Sequence, residues 1–337
     1  MTDRAASNTS RHEAIRDWYR GFAAEQAKGS SPIYERLSLA VADSPPVIEL
    51  LTQLRHPKRQ PNLLLAAVRF LDGPLEVDDF LTFVVDRGDD VLDVMRARST
   101  QTNEAARTGA FVPALAELPG PLALLEVGAS AGLCLQPDRY RYCYHGAARP
   151  VAEVGVGELT IDVEARGPVP VAERFPPVVW RAGLDLAPLD VTDPGDVAWL
   201  QACVWPEHVE RRRRLDAALA IAAADPPAIR RGDLLVDTEA LLAEAPAGAT
   251  KVVYHSAVLV YLDEAGRRAF ADTMTRLVDE RDDVVWLANE APGVVPDLAP
   301  PPGADARPLR FVVTRNGRDT LALADHHGAW VDWLADS

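Results

Sequence analysis

Residues 122–135 read LALLEVGASAGLCL, an apolar run that ends in a turn of small residues. The run predicts a buried strand, and Gly128, Ser130 and Gly132 let the backbone turn sharply into a following helix and let a ligand approach the amides. A dinucleotide fingerprint needs a third glycine where this chain has Leu133, and a second where it has Ser130, which disfavours a nicotinamide or flavin site. The turn therefore predicts either another kind of ligand site or a tight turn that binds nothing.

Polar residues follow further apolar runs, at the points where the predicted strands end. Asp185 could accept both hydroxyls of a cis-diol through one carboxylate, and Asp233 stands in a similar place after a glycine. His255 could act as a general base, a role that histidine side chains often take, with Asn289 and Glu290 available to orient a substrate. Each has a structural alternative, because aspartates cap turns and helices and a strand-end histidine often only donates a hydrogen bond.

Residues 98–104, RSTQTNE, form a dense polar cluster before the first predicted strand. On a predicted helix, Arg98 and Gln101 share one face. Arg98 is suited to grip a carboxylate, and Gln101 or Asn103 could accept from an amine. The structural alternative is a solvated helix face.

No metal site is predicted. Cys134, Cys143 and Cys203 are the three cysteines, and none of them belongs to a CxxC pair. His326 and His327 are adjacent, and neighbouring side chains of a strand point to opposite faces. So few thiols do not make a disulfide scaffold and are typical of a reduced, cytoplasmic protein.

The first third of the chain predicts an all-helical domain over residues 1–118, placed to cap a cleft. Serine followed by proline at 31–32 and at 44–45 predicts two helix starts, with a serine cap and a proline in the first turn. Apolar residues three and four apart continue over 91–118 and predict a long helix that is broken or kinked at Pro113.

Residues 119–337 predict an α/β domain with a mostly parallel, Rossmann-like sheet. Short runs rich in valine and leucine alternate with helical stretches, as in parallel sheets with crossover helices. A segment rich in glycine and proline predicts an inserted hairpin at about 140–177, and Asn316-Gly317 predicts an antiparallel hairpin at the end of the sheet. The predicted strands are 122–127, 178–184, 251–255, 284–288, 310–314 and 320–323, and the predicted helices are 197–224 and 264–280.

The overall charge limits the partners. Thirty-five basic and 50 acidic residues give a formal charge of −15, which would repel the phosphate backbone of a nucleic acid. No apolar run approaches the ~20 residues that cross a bilayer, and the N-terminus lacks the apolar stretch of a secretory signal. We expect a cytoplasmic protein that acts on a small molecule, without a nucleic-acid or membrane partner, and the sequence leaves the oligomeric state open.

An acidic residue, then any residue, then Gly-x-Ser-x-Gly, as in Glu126 to Gly132, resembles the first motif of class I S-adenosylmethionine (SAM)-dependent methyltransferases. In that family the loop passes beneath the methionyl part of SAM, and acidic residues at the next two strand ends bind the ribose and the adenine. The resemblance implies a cofactor site made by Glu126, Gly128, Ser130, Gly132, Asp185 (ribose), Asp233 (adenine), Arg98, Gln101 and Asn103, with His255, Asn289 and Glu290 towards the methyl acceptor.

A second resemblance depends on longer segments that follow one another along the chain, namely QTNE, LLEVGASAGL, DRYRY, RAGLDLAPLDV, WLQACVWPEH, RRGD and VVYHSAVLVYL. Together they resemble the bacterial domain-of-unknown-function family 2332 over about residues 12–290. The expected function is methyl transfer from SAM to a small-molecule acceptor. Two alternatives stay open: a lyase or intramolecular displacement cyclase on the same scaffold, and a non-catalytic SAM-binding or interaction protein.

Overall fold

The chain forms two compact units, a helical unit and a sheet unit. The computed structural model describes residues 2–146, 150–170, 174–306 and 309–334. The helical unit comprises Met1–Thr102 and Pro194–Arg213, and the sheet unit comprises Asn103–Asp193 and Arg214–Ser337. This division differs from the predicted one, since residues 103–118 group with the sheet and Pro194–Arg213 groups with the helices.

The helices Pro32–Ala42 and Pro45–Thr52 begin at the two predicted Ser-Pro pairs, but only Ser31 forms the predicted side-chain cap, because the side chain of Ser44 makes no cap hydrogen bond. The hydroxyl of Ser31 accepts a hydrogen bond from the backbone N–H of Tyr34 at 3.1 Å. Pro32 and Pro45 stand in first turns, where a helix has no use for their missing N–H groups. Helices of this unit, numbered in chain order, are α1 Thr2–Phe22 (extended by a π-helical turn, Ala23–Ala27), α2 Pro32–Ala42, α3 Pro45–Thr52, α4 Pro61–Phe70, α5 Val77–Asp86, α6 Gly88–Ala97 and α8 Pro194–Cys203.

The prediction of one long helix over residues 91–118 is wrong, because a non-helical connector interrupts it. Helix α6 ends at Ala97, residues 98–104 are non-helical, and a 3₁₀ helix (Ala105–Ala110) and the short α7 (Val112–Ala116) follow. The serine, threonines and asparagine of this connector hydrogen-bond readily to nearby backbone groups, which favours caps and turns over helix. The polar cluster is therefore a connector, and its side chains do not share a helix face.

An eleven-stranded mixed sheet organises the described part of the sheet unit, in the order β3-β2-β4-β11-β10-β9-β8-β7-β1-β5-β6. Strand β1 pairs in parallel with β5 on one side and with β7 on the other, and β7 pairs in parallel with β8. The strands are β1 Leu122–Val127, β2 Arg141–His145, β3 Pro150–Val154, β4 Thr160–Arg166, β5 Val178–Asp185, β6 Ile229–Arg231, β7 Thr250–Ser256, β8 Val284–Glu290, β9 Arg310–Arg315, β10 Asp319–Asp325 and β11 Trp330–Trp333.

The mostly parallel sheet confirms the prediction of an α/β fold. Every residue of β1 is buried, because a central parallel strand is covered on both faces. Helix α11 (Glu264–Glu280) has the bounds that the sequence predicts, and it packs with α10 (Leu234–Leu242) on one face of the sheet. The helix predicted over 197–224 is two helices, α8 and α9 (Val209–Ala224), with Pro206 in the break between them.

The predicted C-terminal hairpin is present, but the predicted inserted hairpin is only part of a larger insertion. The hairpin of β9 and β10 is confirmed, with Asn316 and Gly317 both at positive φ in its turn. The predicted insertion is larger than a hairpin, because β2, β3 and β4 extend the sheet beyond β11. Residues 147–149 and 171–173 of that insertion lie outside the described residues.

The turn after β1 does not lead into an α-helix, contrary to prediction. Two short 3₁₀ helices follow it, Leu133–Leu135 and Pro137–Arg139, and the chain then enters β2. Pro137 has no N–H and its ring clashes with a preceding turn, so a helix begun at Leu133 cannot continue past it.

Candidate functional site

The carboxyl ends of β1, β5, β7 and β8 meet at one edge of the sheet, because these strands are parallel neighbours. From β1 the chain order runs through β5 and β6 in one direction and through β7 and β8 in the other. Open α/β sheets bind ligands outside the carboxyl ends of their strands at such a reversal. The gap between the ends of β1 and β7 is therefore the position where a sheet of this kind binds its ligand.

In the turn after β1, every second residue from Gly128 to Gly132 has a positive φ. Gly128, Ser130 and Gly132 have φ of +72°, +54° and +72°. Ser130 is the exception among them, because non-glycine residues seldom adopt positive φ and those that do collect at functional sites. Ala257, just after β7, also has a positive φ, +58°. Two strained turns thus lie at the ends of the two central strands.

Asp185 joins the end of β5 to this turn. Its Oδ2 accepts a hydrogen bond from the backbone N–H of Ser130 at 2.8 Å, and its Oδ1 accepts one from the N–H of Ala187 at 2.8 Å. The carboxylate is half-buried. The acidic residue and the small-residue turn, which the sequence predicted to serve one ligand, therefore touch.

The glycines of the turn make room for protein. A Cβ on Gly128 would collide with the side chain of Val258, and a Cβ on Gly132 would lie 2.6 Å from Cγ of Pro227. The prediction that these glycines admit a ligand is therefore wrong for the side on which a Cβ would stand. On that side they allow the turns after β1 and β7 to pack together.

Glu126, near the end of β1, has one buried carboxyl oxygen, Oε2, without a hydrogen-bond partner among the described residues. The residue is 5% exposed. Burial raises the pKa of Glu126 well above its ordinary range, the charge of Asp185 adds to the rise, and Arg107 opposes it. Ser130 Oγ and Asn289 Oδ1 are likewise buried without a partner in the described part of the chain. Buried polar atoms seldom stay unpaired, so these three are candidate ligand contacts.

His255 is fully buried and engaged at both ring nitrogens. The indole N–H of Trp286 donates to its Nε2 at 3.0 Å, and its Nδ1 lies 2.7 Å from Oε1 of Glu290. An indole N–H only donates, so Nε2 is the unprotonated nitrogen and Nδ1–H donates to the carboxylate. The sequence suggested a general base, and this geometry corrects that role: His255 has no free lone pair and positions Glu290.

Glu290 fixes the turn after β7. Its Oε1 also accepts from the backbone N–H groups of Val258 at 2.8 Å and Leu259 at 3.1 Å. Its Oε2 and Oγ of Thr314 are buried without a partner in the described residues, and both residues line a cavity of about 10 Å³. That volume fits one water molecule, which could satisfy both groups. One carboxylate oxygen of Glu290 therefore holds the turn after β7, and the other faces a cavity that can contain a water molecule.

Asn289 lies on the opposite face of the sheet from Glu290, because successive side chains of a strand alternate. Its Nδ2 donates to Oγ of Ser256 at 3.2 Å, and Ser256 is its partner in register on β7. The catalytic group predicted from His255, Asn289 and Glu290 is therefore divided. Asn289 is on the face of Glu126, and the other two are on the face covered by α10 and α11.

Arg107 is a functional candidate that the sequence reasoning missed. It is 8% exposed, and it donates to the backbone carbonyls of His326 at 2.9 Å and Ser256 at 3.4 Å. The sequence did contain a signal, because Arg107 is the single charged residue in the apolar run that follows QTNE. An arginine that is buried in such a run needs specific hydrogen-bond acceptors. The residue places a positive charge on the same face as Glu126, whose pKa it lowers.

Asp233 is a helix cap, which is the structural role that the sequence left open for it. Its Oδ1 accepts from the N–H of Leu235 at 2.9 Å and caps the start of α10. The strand β6 nevertheless brings it near Asp185, because the N–H of Gly232 donates to the Asp185 carbonyl at 2.9 Å.

The three candidates of the polar cluster have separate positions. Asn103 belongs to the sheet unit, where its Oδ1 accepts from the N–H of Leu133 at 2.9 Å and so holds the far end of the glycine turn. Arg98 and Gln101 belong to the helical unit. There the guanidinium of Arg98 forms an ion pair with Asp196. Arg98 was predicted to bind the carboxylate of a ligand, and in the structure it binds a carboxylate of the protein.

The fold and these contacts define a mixed α/β protein, with a large, mostly parallel sheet, antiparallel strands near its C-terminus and buried polar groups at the central strand ends. The chain belongs to the bacterial family DUF2332, described as an uncharacterized protein conserved in bacteria, whose sequence profile matches residues 16–73 and 74–333. No curated protein matches the chain. Among the helices that the structure describes, none has the length and apolar character needed to cross a membrane.

Proposed function

We propose that this chain binds SAM at the carboxyl ends of β1 and β5 and transfers its methyl group to a small-molecule acceptor. The observation that carries the proposal is the hydrogen bond between the Asp185 carboxylate and the backbone N–H of Ser130. It joins the acidic strand end to the small-residue turn, the two features that the resemblance to class I methyltransferases assigns to one cofactor. Both lie beside the reversal of strand order, where α/β sheets bind ligands.

The polar groups at this edge suit an adenosyl cofactor. Asp185 keeps acceptor capacity for ribose hydroxyls, since a carboxylate offers about four lone-pair sites and the protein's amides use two. Ser130 Oγ, which has no hydrogen-bond partner in the described part of the chain, adds a donor, and the buried carboxyl of Glu126 adds a further polar contact. Bound SAM would supply a methyl group on a positively charged sulfur.

Asn289 is the residue that we assign to orienting the acceptor. Its Oδ1 is buried without a partner in the described residues, and it lies on the same face as Glu126. Methyl transfer depends chiefly on in-line positioning, so an amide that holds the acceptor serves it without a strong base. His255 and Glu290 act in this proposal as positioning residues, because they fix the turn that packs on Gly128.

A second candidate is an enzyme on the same scaffold that does not use SAM, such as a lyase or displacement cyclase. The observation that favours it is the packing of Val258 over Gly128, which takes one side of the turn away from any ligand. In that case Glu126, Arg107 and Asn289 would bind the substrate itself.

Calorimetric titration with SAM, S-adenosylhomocysteine and NAD separates the two candidates. We expect the wild-type chain to bind both adenosyl ligands and not NAD. Asp185→Asn should weaken SAM binding by about tenfold or more, because a hydrogen bond to a charged group is worth roughly 1.5–3 kcal/mol. Transfer of a labelled methyl group to a small-molecule mixture would then test the reaction.

Asp325→Asn is the matched control. Asp325 also ends a strand and also accepts from two backbone N–H groups, those of His327 and Ala329, but it lies at the end of β10. Melting temperatures of the ligand-free variants show whether Asp185→Asn has only loosened the turn. A folded wild-type chain that binds neither adenosyl ligand would rule out methyl transfer and leave the second candidate.

A further inference from the structure

Three different metal-ligating side chains lie together on the inserted strands. Cys143 and His145 are two residues apart in β2 and so point to the same face, and Asp162 is the partner of Cys143 in register on the parallel strand β4. One potential ligand atom from each residue lies within 4.8 Å of the other two. None of the three belongs to the candidate site at the ends of β1 and β5.

The spacing is close to what a single ion requires. Zinc bonds of about 2.0–2.3 Å in a tetrahedral site place ligand atoms about 3.3–3.8 Å apart. His145 Nε2 and Asp162 Oδ1 are 2.7 Å apart and share a hydrogen bond, which an ion between them would replace. Their side chains are 44% and 70% exposed, so they can move the short distance that coordination needs.

A fourth donor is available on the same face. Glu153 is the partner of Cys143 in register on β3, on the side away from Asp162, and it is exposed. Directly opposite residues in a sheet have Cβ atoms about 4.5–5.5 Å apart, which is within reach of a glutamate side chain. Either Glu153 or a water molecule can therefore complete a tetrahedral set.

We propose that Cys143, His145 and Asp162 form a zinc site on the surface of the sheet unit. A thiolate with an imidazole selects zinc over calcium or magnesium, which prefer oxygen ligands alone. The ion would tie β2 to β4, two neighbouring strands whose connection runs through β3, and so stabilise the insertion. The sequence predicted no metal site because these ligands form no local motif and only the pairing of β2 with β4 assembles them.

The test uses the full-length chain without a histidine tag, stripped of metal with a chelator. Calorimetry with Zn²⁺ should show one site per chain, and Zn²⁺ should raise the melting temperature. Titration with Co²⁺ should give a thiolate-to-cobalt charge-transfer band, which only a cysteine ligand produces. Cys143→Ser should abolish that band, and His145→Gln and Asp162→Asn should each weaken Zn²⁺ binding by at least about tenfold.

Cys203→Ser is the matched control, because Cys203 is a half-buried cysteine of the helical unit and should leave binding unchanged. Melting temperatures of the metal-free variants are compared with that of the metal-free wild type, so that misfolding is recognised. Cys143 and His145 are half-buried and Asp162 is exposed, so we expect each metal-free variant to fold. Zinc binding that Cys143→Ser leaves intact, or a cobalt complex without the thiolate band, would overturn the proposal and indicate an adventitious ion only.

Discussion

The side chain of Val258 occupies the space that a Cβ on Gly128 would need, across the ends of β7 and β1. Glu290 holds the backbone N–H of Val258, so this packing depends on a carboxylate from a third strand. The glycine that resembles a cofactor motif is therefore required by protein packing. Whether it also serves a ligand is a separate question, which mutation of both partners can answer.

Gly128→Ala should lower the free energy of unfolding by about 2–4 kcal/mol, combining the cost of positive φ with overpacking. The double variant Gly128→Ala/Val258→Ala should recover the overpacking part in urea unfolding. Gly248→Ala is the control, because Gly248 has a φ of +82° and nothing within 4 Å of a Cβ. Equal losses at Gly128 and Gly248 would mean that Val258 can move away and that the packing is not tight.

Replacement of His255 should cost stability as well as any activity. His255→Leu leaves Glu290 and the indole N–H of Trp286 without their side-chain partner in the core, and we expect a loss of about 2–4 kcal/mol. Trp286→Phe removes only the donor to Nε2 and should cost less. Urea unfolding measures both, with the exposed His56 replaced by leucine as the control. A fully stable His255→Leu variant with lost activity would restore the general-base assignment.

The tautomer of His255 gives a direct spectroscopic check of the same arrangement. Nitrogen NMR of labelled histidine should show the proton on Nδ1, because the Trp286 indole N–H occupies Nε2. Observation of an Nε2–H tautomer would contradict the relay from Trp286 to Glu290.

Glu126 should make the protein less stable as the pH rises. Burial, with the charge of Asp185, raises the pKa of Glu126 in the folded chain above its ordinary value of 4.5. The stabilising contribution of the protonated form is therefore complete below pH 4.5 and is lost as the pH rises through the raised pKa. Glu126→Gln stays neutral, so its stability relative to wild type should increase over that window, by up to about 1.4 kcal/mol per pH unit.

Urea unfolding of both proteins over a pH series measures this difference, and Glu244→Gln serves as a control of opposite sign. The hydrogen bond from Arg230 lowers the pKa of Glu244, so its contribution is present at high pH and is lost on acidification. A pH profile that Glu126→Gln leaves unaltered would show that Glu126 has an ordinary pKa and a charged partner in the folded chain.

Arg98 should matter for the stability of the helical unit. Its guanidinium pairs with Asp196 and lies 5.3 Å from the ring centre of Phe70 and 5.8 Å from that of Trp199. We expect Arg98→Met to cost about 1–3 kcal/mol through the lost ion pair and cation–π contacts. A double-mutant cycle with Asp196→Asn isolates the ion pair.

The sequence by itself determined the elements whose signals are local. Serine and proline mark the starts of α2 and α3, Asn316-Gly317 fixes the last hairpin, and the apolar run at 122–127 is β1 to the residue. It also placed Asp185 directly after a predicted strand. These features depend on a few neighbouring residues, whose propensities and periodicity act before any tertiary contact forms.

Only the tertiary structure decided what those residues face. Strand pairing put Asn289 and Glu290 on opposite faces, brought Val258 onto Gly128, closed both nitrogens of His255, and assembled Cys143 with Asp162. Such contacts join residues far apart in the chain, and many pairings of the same strands satisfy the same local preferences. The choice among them depends on burial and hydrogen bonding over the whole sheet, which no single stretch of sequence encodes.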